Sequence, residues 1–442
     1  MRFLFVHQNF PGQFLHIVRH LVAMGGHEIL FITEPNENFI RGVRKVPYMK
    51  PRLSTADTHV AARELDMAAR RAEVVAGAAL TLRHLGFTPD IIIGHQGWGE
   101  MLNLEDVWPG VPSIGYMEFY YKTNGGDVTF DPEFLIDPSD FPRIRAKNAI
   151  NHLALNTDAH GVTPTRWQLS TYPDWARERI EVMWEGVNLD ICSPDAKARH
   201  AGLTIGGMTI RRTDKLVTFV SRDLEPYRGV HPMIRALPDL LRIHKNLKVV
   251  MVGGDGVSYG VPAPGGTTWR EFFLREVRDR IDPERISFPG KVGYDTYIAL
   301  LRRSDAHVYL SYPFVASWSL REALAMGCAV IGGDTDPVRE FIKHGENGLV
   351  TSFFDPKGIA DTVREVIENK TLDHTLRAGA RQYAERHLAM SDYLNAFCRR
   401  IEQLTGGSLR SSKAPASKAP ASKAPASEAP EAPAPKRSRV RK

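Results

Sequence analysis

Short apolar runs alternate with helical stretches along almost the whole chain, and this alternation restricts the fold more than any other feature. In the first half RFLFVHQ, HEILFIT, DIIIGH and VPSIGYME read as strands, and Ala154–Thr163 and Arg179–Trp184 as the last two. Between them, GQFLHIVRHLVAMG carries Phe14, Leu15, Val18, Leu21 and Val22 at helical spacing, and Ala56–Leu85 is a long helical pattern. The second half repeats the scheme. KLVTFVS, NLKVVMVGG, RISFPG, AHVYLS and AVIGG are strands. HPMIRALPDLLRIH, WREFFLREVRDR, DTYIALLRRS, SLREALAMG and PVREFIKHG are helices, and a last helix spans about Asp392–Leu404. Strands buried on both faces and joined by helical crossovers are parallel. The expected architecture is therefore α/β: two doubly wound, Rossmann-like parallel sheets facing each other across a cleft. The expected division is 1–205, 206–390, a C-terminal helix at 391–406 and a tail at 407–442.

The tail decides how the charge is read. The 442 residues carry a net charge of +6, but from Ser408 onward nine Lys/Arg stand against two Asp/Glu. Subtracting this surplus of seven leaves residues 1–407 at −1, so the body is no nucleic-acid binder by charge. The tail repeats SKAPA and ends in KRSRVRK. Frequent Pro forbids a helix and nothing large is available to bury, so a disordered, cationic spacer is expected; a solvated tail is the plainer reading, and peripheral attachment to an anionic membrane or another polyanion the sharper one. Three well-separated cysteines, Cys192, Cys328 and Cys398, without a CxxC, point to a reducing cytoplasmic setting and no zinc site. No apolar run approaches the ~18 residues of a membrane-spanning helix.

In open α/β sheets ligands bind beyond the carboxyl ends of the strands, and four polar clusters fall there. Arg222 and Arg228, in SRDLEPYRG, are two permanent cations suited to phosphate; a surface ion pair with Glu225 or a neighbouring acid is the plainer reading. Ser317, Trp318 and Ser319 open a helix whose free amides favour an anion, with Glu322 one turn in, placed to accept from ribose hydroxyls or simply a favourable first-turn acid. The loop with Gly254, Asp255, Ser258 and Tyr259 allows close backbone approach but matches no P-loop. His7 to Gln13, including Gly12, forms the first strand–helix junction. Asp334 and Asp336 invite a metal reading, yet precede a helix at Pro337, where Asp as N-cap is the better account.

The Arg222 segment, then S-x-x-E-A-x-A-x-G-x-x-V-I, then VREFIKHGENGLV, together resemble family 4 of the retaining glycosyltransferases with the GT-B fold; HQNFPGQF, GHQGWGE and PTRWQ resemble one bacterial subgroup of it. The resemblance spans Met1 to about Leu404. It implies an acceptor-side first domain and a second domain that holds a nucleotide-diphosphate sugar, with no obligatory cofactor or metal. Arg222 matches the first cation of the family's pyrophosphate pair, and Arg228 stands where Lys is more usual. Glu322 matches the second Glu of the E-x7-E motif; Phe314 occupies the place of the first, which leaves the donor sugar's hydroxyls without their usual acceptor. A catalytic-site residue at the end of a first-domain strand is matched by His95 in residue type and by Glu118 in order. The implied activity is transfer of a sugar to a glycan or lipid-linked acceptor in cell-surface polysaccharide or lipopolysaccharide assembly. A nucleotide-sugar epimerase of the same fold and a catalytically inactive sugar-nucleotide-binding protein are the alternatives.

Overall fold

The computed structural model describes residues 1–409 apart from Ser54. The first sheet contains β1 (Arg2–Val6), β2 (Glu28–Thr33), β3 (Val43–Pro47), β4 (Ile91–His95), β5 (Ser113–Tyr116), β6 (His160–Thr163) and β7 (Ile180–Val182). All are parallel, in the order β3-β2-β1-β4-β5-β6-β7. A hairpin, β8 (Leu203–Ile205) and β9 (Met208–Ile210), leads into the second sheet. That sheet contains β10 (Lys215–Asp223), β11 (Leu247–Gly254), β12 (Ile286–Ser287), β13 (Ala306–Tyr309), β14 (Val330–Gly333) and β15 (Leu349–Thr351). It is also parallel, in the order β12-β11-β10-β13-β14-β15. Both central strands, β1 and β10, are flanked on each side, which places their carboxyl ends at the topological switch points where ligands gather.

The structure changes several boundaries. Ile205, Met208 and Ile210 pack with Leu216 and Val250, so the hairpin belongs to the second domain and the division expected after residue 205 cuts through it. Ala154 lies in the last turn of a helix, Phe141–Leu155, and only His160–Thr163 of the expected Ala154–Thr163 strand is extended. The long first-domain helix spans Arg63–His84. PVREFIKHG is helical only over Asp336–Arg339. The last helix, Met390–Thr405, is not a separate unit: Tyr393, Phe397 and Ile401 pack against Phe3, Phe14 and Ile17 in the first domain's core. Leu409 joins the same cluster, so the ordered body runs past the expected tail boundary. The expected extended tail otherwise lies at 410–442, outside the described residues. No helix among the described residues is long and apolar enough to cross a membrane.

Two buried histidines make the fold acid-sensitive. His307 sits on β13 with its Nδ1 2.9 Å from Thr218 Oγ1, and burial lowers its pKa to about 4. Burial, with His95 alongside, lowers His7 to about 3. The unfolded chain binds these protons near pH 6.5 and the folded chain does not. Stability is therefore full above about pH 6.5 and falls as pH drops toward 4, by roughly 1.4 kcal/mol per pKa unit per group. Thermal melts between pH 7.5 and 4.5 should show a steadily falling Tm, less steep in His307→Gln; a flat profile contradicts this account.

Candidate active site

The second-domain side is built at the carboxyl end of β10. After Arg222 and Asp223 the chain makes a short turn, Pro226–Arg228, and Gly229 follows with φ +71. A Cβ there would lie 2.3 Å from Leu310 Cβ, so a side chain is excluded both by conformation and by space. The turn buries Arg228, which donates from Nη1 to Ser311 Oγ (2.9 Å) and to the Val315 carbonyl (3.0 Å). Its guanidinium lies 5.0 Å from the centre of the Tyr259 ring. Arg222, in contrast, is exposed and makes no hydrogen bond or ion pair among the described residues. One cation is fixed and the other is free.

The loop after β13 opens into the helix Trp318–Ala325. Ser317 caps it: its Oγ accepts from the Ser319 amide at 3.3 Å, while its own amide donates to Tyr309 Oη at 2.8 Å. Two of the first amides are thus already partnered. Glu322 accepts from Tyr294 Oη and Tyr297 Oη, both at 2.8 Å, and burial pushes its carboxyl above the usual range despite them. Phe314 is buried in a cluster of rings, 4.8 Å from Phe119 of the first domain, 5.0 Å from Tyr259 and 5.9 Å from Tyr227 between centroids.

The glycine-rich loop has partners of its own. The Glu225 carboxylate, fully buried, accepts from the amides of Ser258 (3.1 Å), Tyr259 (3.2 Å) and Gly260 (3.0 Å). Those amides face a protein carboxylate, which occupies the place that an anion would take. The plainer reading that paired Glu225 with an arginine is overturned by the same contacts. Ser258 Oγ also donates to Asp223, and Asp255 forms a two-point ion pair with Arg270 (2.8 and 2.7 Å). A Cβ on Gly254 would lie 2.5 Å from Asp223 Oδ1.

On the first-domain side the structure brings the two candidates together: His95 Nε2 lies 3.5 Å from Glu118 Oε2. His95 is buried, whereas the Glu118 side chain is 26 % exposed. Burial pushes Glu118 up, but His95, His7 and Gln13, whose Nε2 donates to Oε1 at 3.3 Å, outweigh it and hold the carboxyl below its ordinary value. His95 Nδ1 accepts from the Gly97 amide (3.0 Å) and His7 Nδ1 from the Asn9 amide (2.8 Å), which puts the ring proton on Nε2 in both. Gly12, at φ +55, lies over the His7 ring, and a Cβ would come within 2.9 Å of it.

Contacts between the domains escape a reading of the sequence. Residues 127–134 of the first domain reach over the second: Tyr227 Oη donates to Asp127 (2.9 Å), Tyr312 Oη donates to Asp131, and His231 lies 2.9 Å from Asp131. Phe130 and Phe134 pack into the second domain's core. Glu340 accepts from the amides of Arg166 (2.7 Å) and Trp167 (2.8 Å) at the start of a first-domain helix. Glu185 accepts from Tyr116 Oη (3.1 Å), Trp318 Nε1 (2.7 Å) and Arg321 Nη1 (2.9 Å). The alternation of acids and aromatic rings in DVTFDPEF is the one trace of these contacts in the sequence. The expected cap at Asp334–Asp336 is corrected: Thr335 is the N-cap residue, without a side-chain cap bond, and Asp334 instead pairs with Arg339, 2.8 Å from Nη2.

The two domains match two family models. Residues 25–192 match the glycosyl transferase family 4 group, and residues 208–384 match glycosyl transferases group 1. Each domain is thus similar to glycosyltransferases, the first to the family 4 group and the second to group 1, and the fold is GT-B. The chain is 26 % identical to the glycogen synthase of Mycobacterium tuberculosis over 159 residues, 36 % of each protein. It is 26 % identical to the phosphatidyl-myo-inositol mannosyltransferase of Mycobacterium leprae over 220 residues, 49 % of this chain and 50 % of that one. The matches thus span about a third to a half of these relatives' lengths. The crystal structure of the Anabaena protein HepE, in complex with UDP and glucose, aligns over 91 % of this chain and 100 % of its own with a TM-score of 0.64 at 16 % identity.

Proposed function

We propose that this protein is a retaining glycosyltransferase that moves a sugar from a nucleotide-diphosphate donor to an acceptor hydroxyl. The observation that carries the reading is the pair at the end of β10: Arg228 fixed by Ser311 and Val315, and Arg222 exposed with no side-chain partner among the described residues. Two cations leaving one strand end, one anchored to the Val315 carbonyl just before the Trp318–Ala325 helix and one exposed, suit a departing diphosphate. HepE, of the same fold, binds UDP and glucose. The bond from the sugar's anomeric carbon to the diphosphate oxygen breaks as positive charge builds on the ring. The acceptor oxygen attacks from the same face, and its proton passes to a phosphate oxygen of the leaving group. The step balances with donor and acceptor alone. Arg222 and Arg228 stabilise the leaving group, Gly254, Asp255, Ser258, Tyr259 and Ser317–Ser319 border the donor, and Glu322 is placed for its ribose. Glu118, backed by His95, accepts a hydroxyl bond on the other side of the cleft. We assign the work to cell-surface polysaccharide or lipopolysaccharide assembly on the cytoplasmic side of the membrane, with a glycan or lipid-linked acceptor and with the basic tail aiding attachment.

Phe314 favours a second reading, a sugar-nucleotide-binding protein without turnover, because a phenyl ring packed against Phe119 accepts no sugar hydroxyl. A thermal-shift screen with UDP-, GDP- and ADP-sugars, followed by NMR of the products, separates the two. Transfer or slow donor hydrolysis with retained anomeric configuration is expected. Binding without any turnover supports the second reading, and an epimerised free sugar or an inverted linkage overturns the first.

A further inference from the structure

The edge of the first sheet carries a surface that the catalytic reading does not use. Strand β3 is the outermost strand, and the segments on both sides of it expose three large apolar side chains: Phe39 (77 %), Met49 (79 %) and Leu53 (76 %). Five cations, Arg41, Arg44, Lys45, Lys50 and Arg52, are interleaved with them; residues 38–53 contain no Asp or Glu, and one exposed acid, Glu37, stands just before them. Contacts tie both the strand and the segment after it to residues 34–38. Lys45 Nζ donates to the carbonyls of Asn36 and Asn38, both at 2.6 Å, and Lys50 Nζ lies 3.9 Å from Glu34. Asn38 Nδ2 also donates to the Phe10 carbonyl at 2.9 Å, tying the patch to the loop that carries Gly12 and Gln13. The acids that reach the patch from neighbouring strands leave its charge in solvent: the side chains of Arg44, 3.4 Å from Glu28, and of Lys50 stay 60 % and 74 % exposed.

We infer that this edge is a docking surface for an anionic lipid bilayer. Protruding apolar side chains set among an excess of cations combine shallow insertion between headgroups with attraction to their charge. A protein partner would be better served by a continuous apolar face ringed by mixed charge. The surface lies on the Gly12–Gln13 side of the cleft, so docking sets the candidate acceptor end near the bilayer. It does so independently of the basic tail and of turnover.

The test is co-sedimentation of the full-length protein, without donor, with vesicles of equal parts phosphatidylcholine and phosphatidylglycerol, and with phosphatidylcholine alone. Binding to the mixed vesicles is expected, with weak or no binding to the neutral ones. The Phe39→Ser/Met49→Ser/Leu53→Ser variant, with its tail intact, should bind at least ~10-fold more weakly. Arg41→Gln/Lys50→Gln/Arg52→Gln should lose binding to a similar degree. Unchanged circular dichroism and Tm would show that both variants remain folded. If the apolar variant binds as the parent does, the tail alone attaches the protein and the inference fails. It fails equally if the parent ignores anionic vesicles. If sedimentation velocity shows a dimer that the apolar variant dissociates, the face pairs with a second copy and the lipid assignment is overturned.

Discussion

Arg222→Ala is expected to lower turnover at saturating donor by about 10²–10³ while leaving Tm unchanged. The side chain is exposed and makes no hydrogen bond or ion pair among the described residues, so its removal leaves no group behind unpaired. All of its effect should appear where negative charge develops. Arg228→Ala is a different experiment. Arg228 is buried and bridges Ser311 to the Val315 carbonyl, so truncation also releases the loop that opens the Trp318–Ala325 helix. Tm and turnover should then fall together. Arg228→Lys keeps a charge but offers no planar fork, and should recover part of the turnover. Steady-state kinetics with the donor found in the nucleotide-sugar screen, alongside thermal melts, reads each outcome. Near-normal turnover in Arg222→Ala would remove that residue from the mechanism.

The second large effect concerns the join between the domains. Glu185→Ala is expected to cost about 3–5 kcal/mol of stability, because it leaves a buried guanidinium without its counter-charge. Arg321 is 1 % exposed, and its Nε and Nη2 have no hydrogen-bond partner among the described residues; the Phe341 ring, 5.1 Å away, is its other support. Replacing both members by apolar groups of similar size, as in Glu185→Leu/Arg321→Met, should be milder than the single change. Glu185 also accepts from Trp318 at the first turn of the helix beside the cation pair, so the single variant should weaken donor binding as well. Denaturant unfolding of the two single variants and the double variant measures the coupling. Additive losses would show that the pair acts as two independent residues.

The sheets were legible because strands buried on both faces are written as apolar runs, as in RFLFV, EILFI and KLVTFV. Elements that break this pattern were not. Strand β3, VRKVP, lies at an edge and carries two charges. The helix Phe141–Leu155 scatters its apolar residues without a single stripe and buries Asn148 and Asn151 among them, and the last helix gives no sign in sequence that its apolar stripe serves the first domain. The site divides in the same way. Strand ends single out Arg222, and the family resemblance adds His95 and Glu118; the structure brings these two within 3.5 Å of each other, with His7 and Gln13 alongside. The amides of the glycine-rich loop looked open, but Glu225, thirty-odd residues earlier, fills them. Glu185–Arg321 and Glu340–Trp167 join residues more than a hundred positions apart, and no local pattern announces such pairs.

A crystal structure of the protein soaked with UDP, or with the nucleoside diphosphate the screen selects, tests the central claim most directly. Its two phosphates should lie within hydrogen-bonding reach of both the Arg222 and Arg228 guanidinium groups, next to the Ser317–Ser319 turn. Phosphates bound elsewhere, with Arg222 still pointing into solvent, would contradict it.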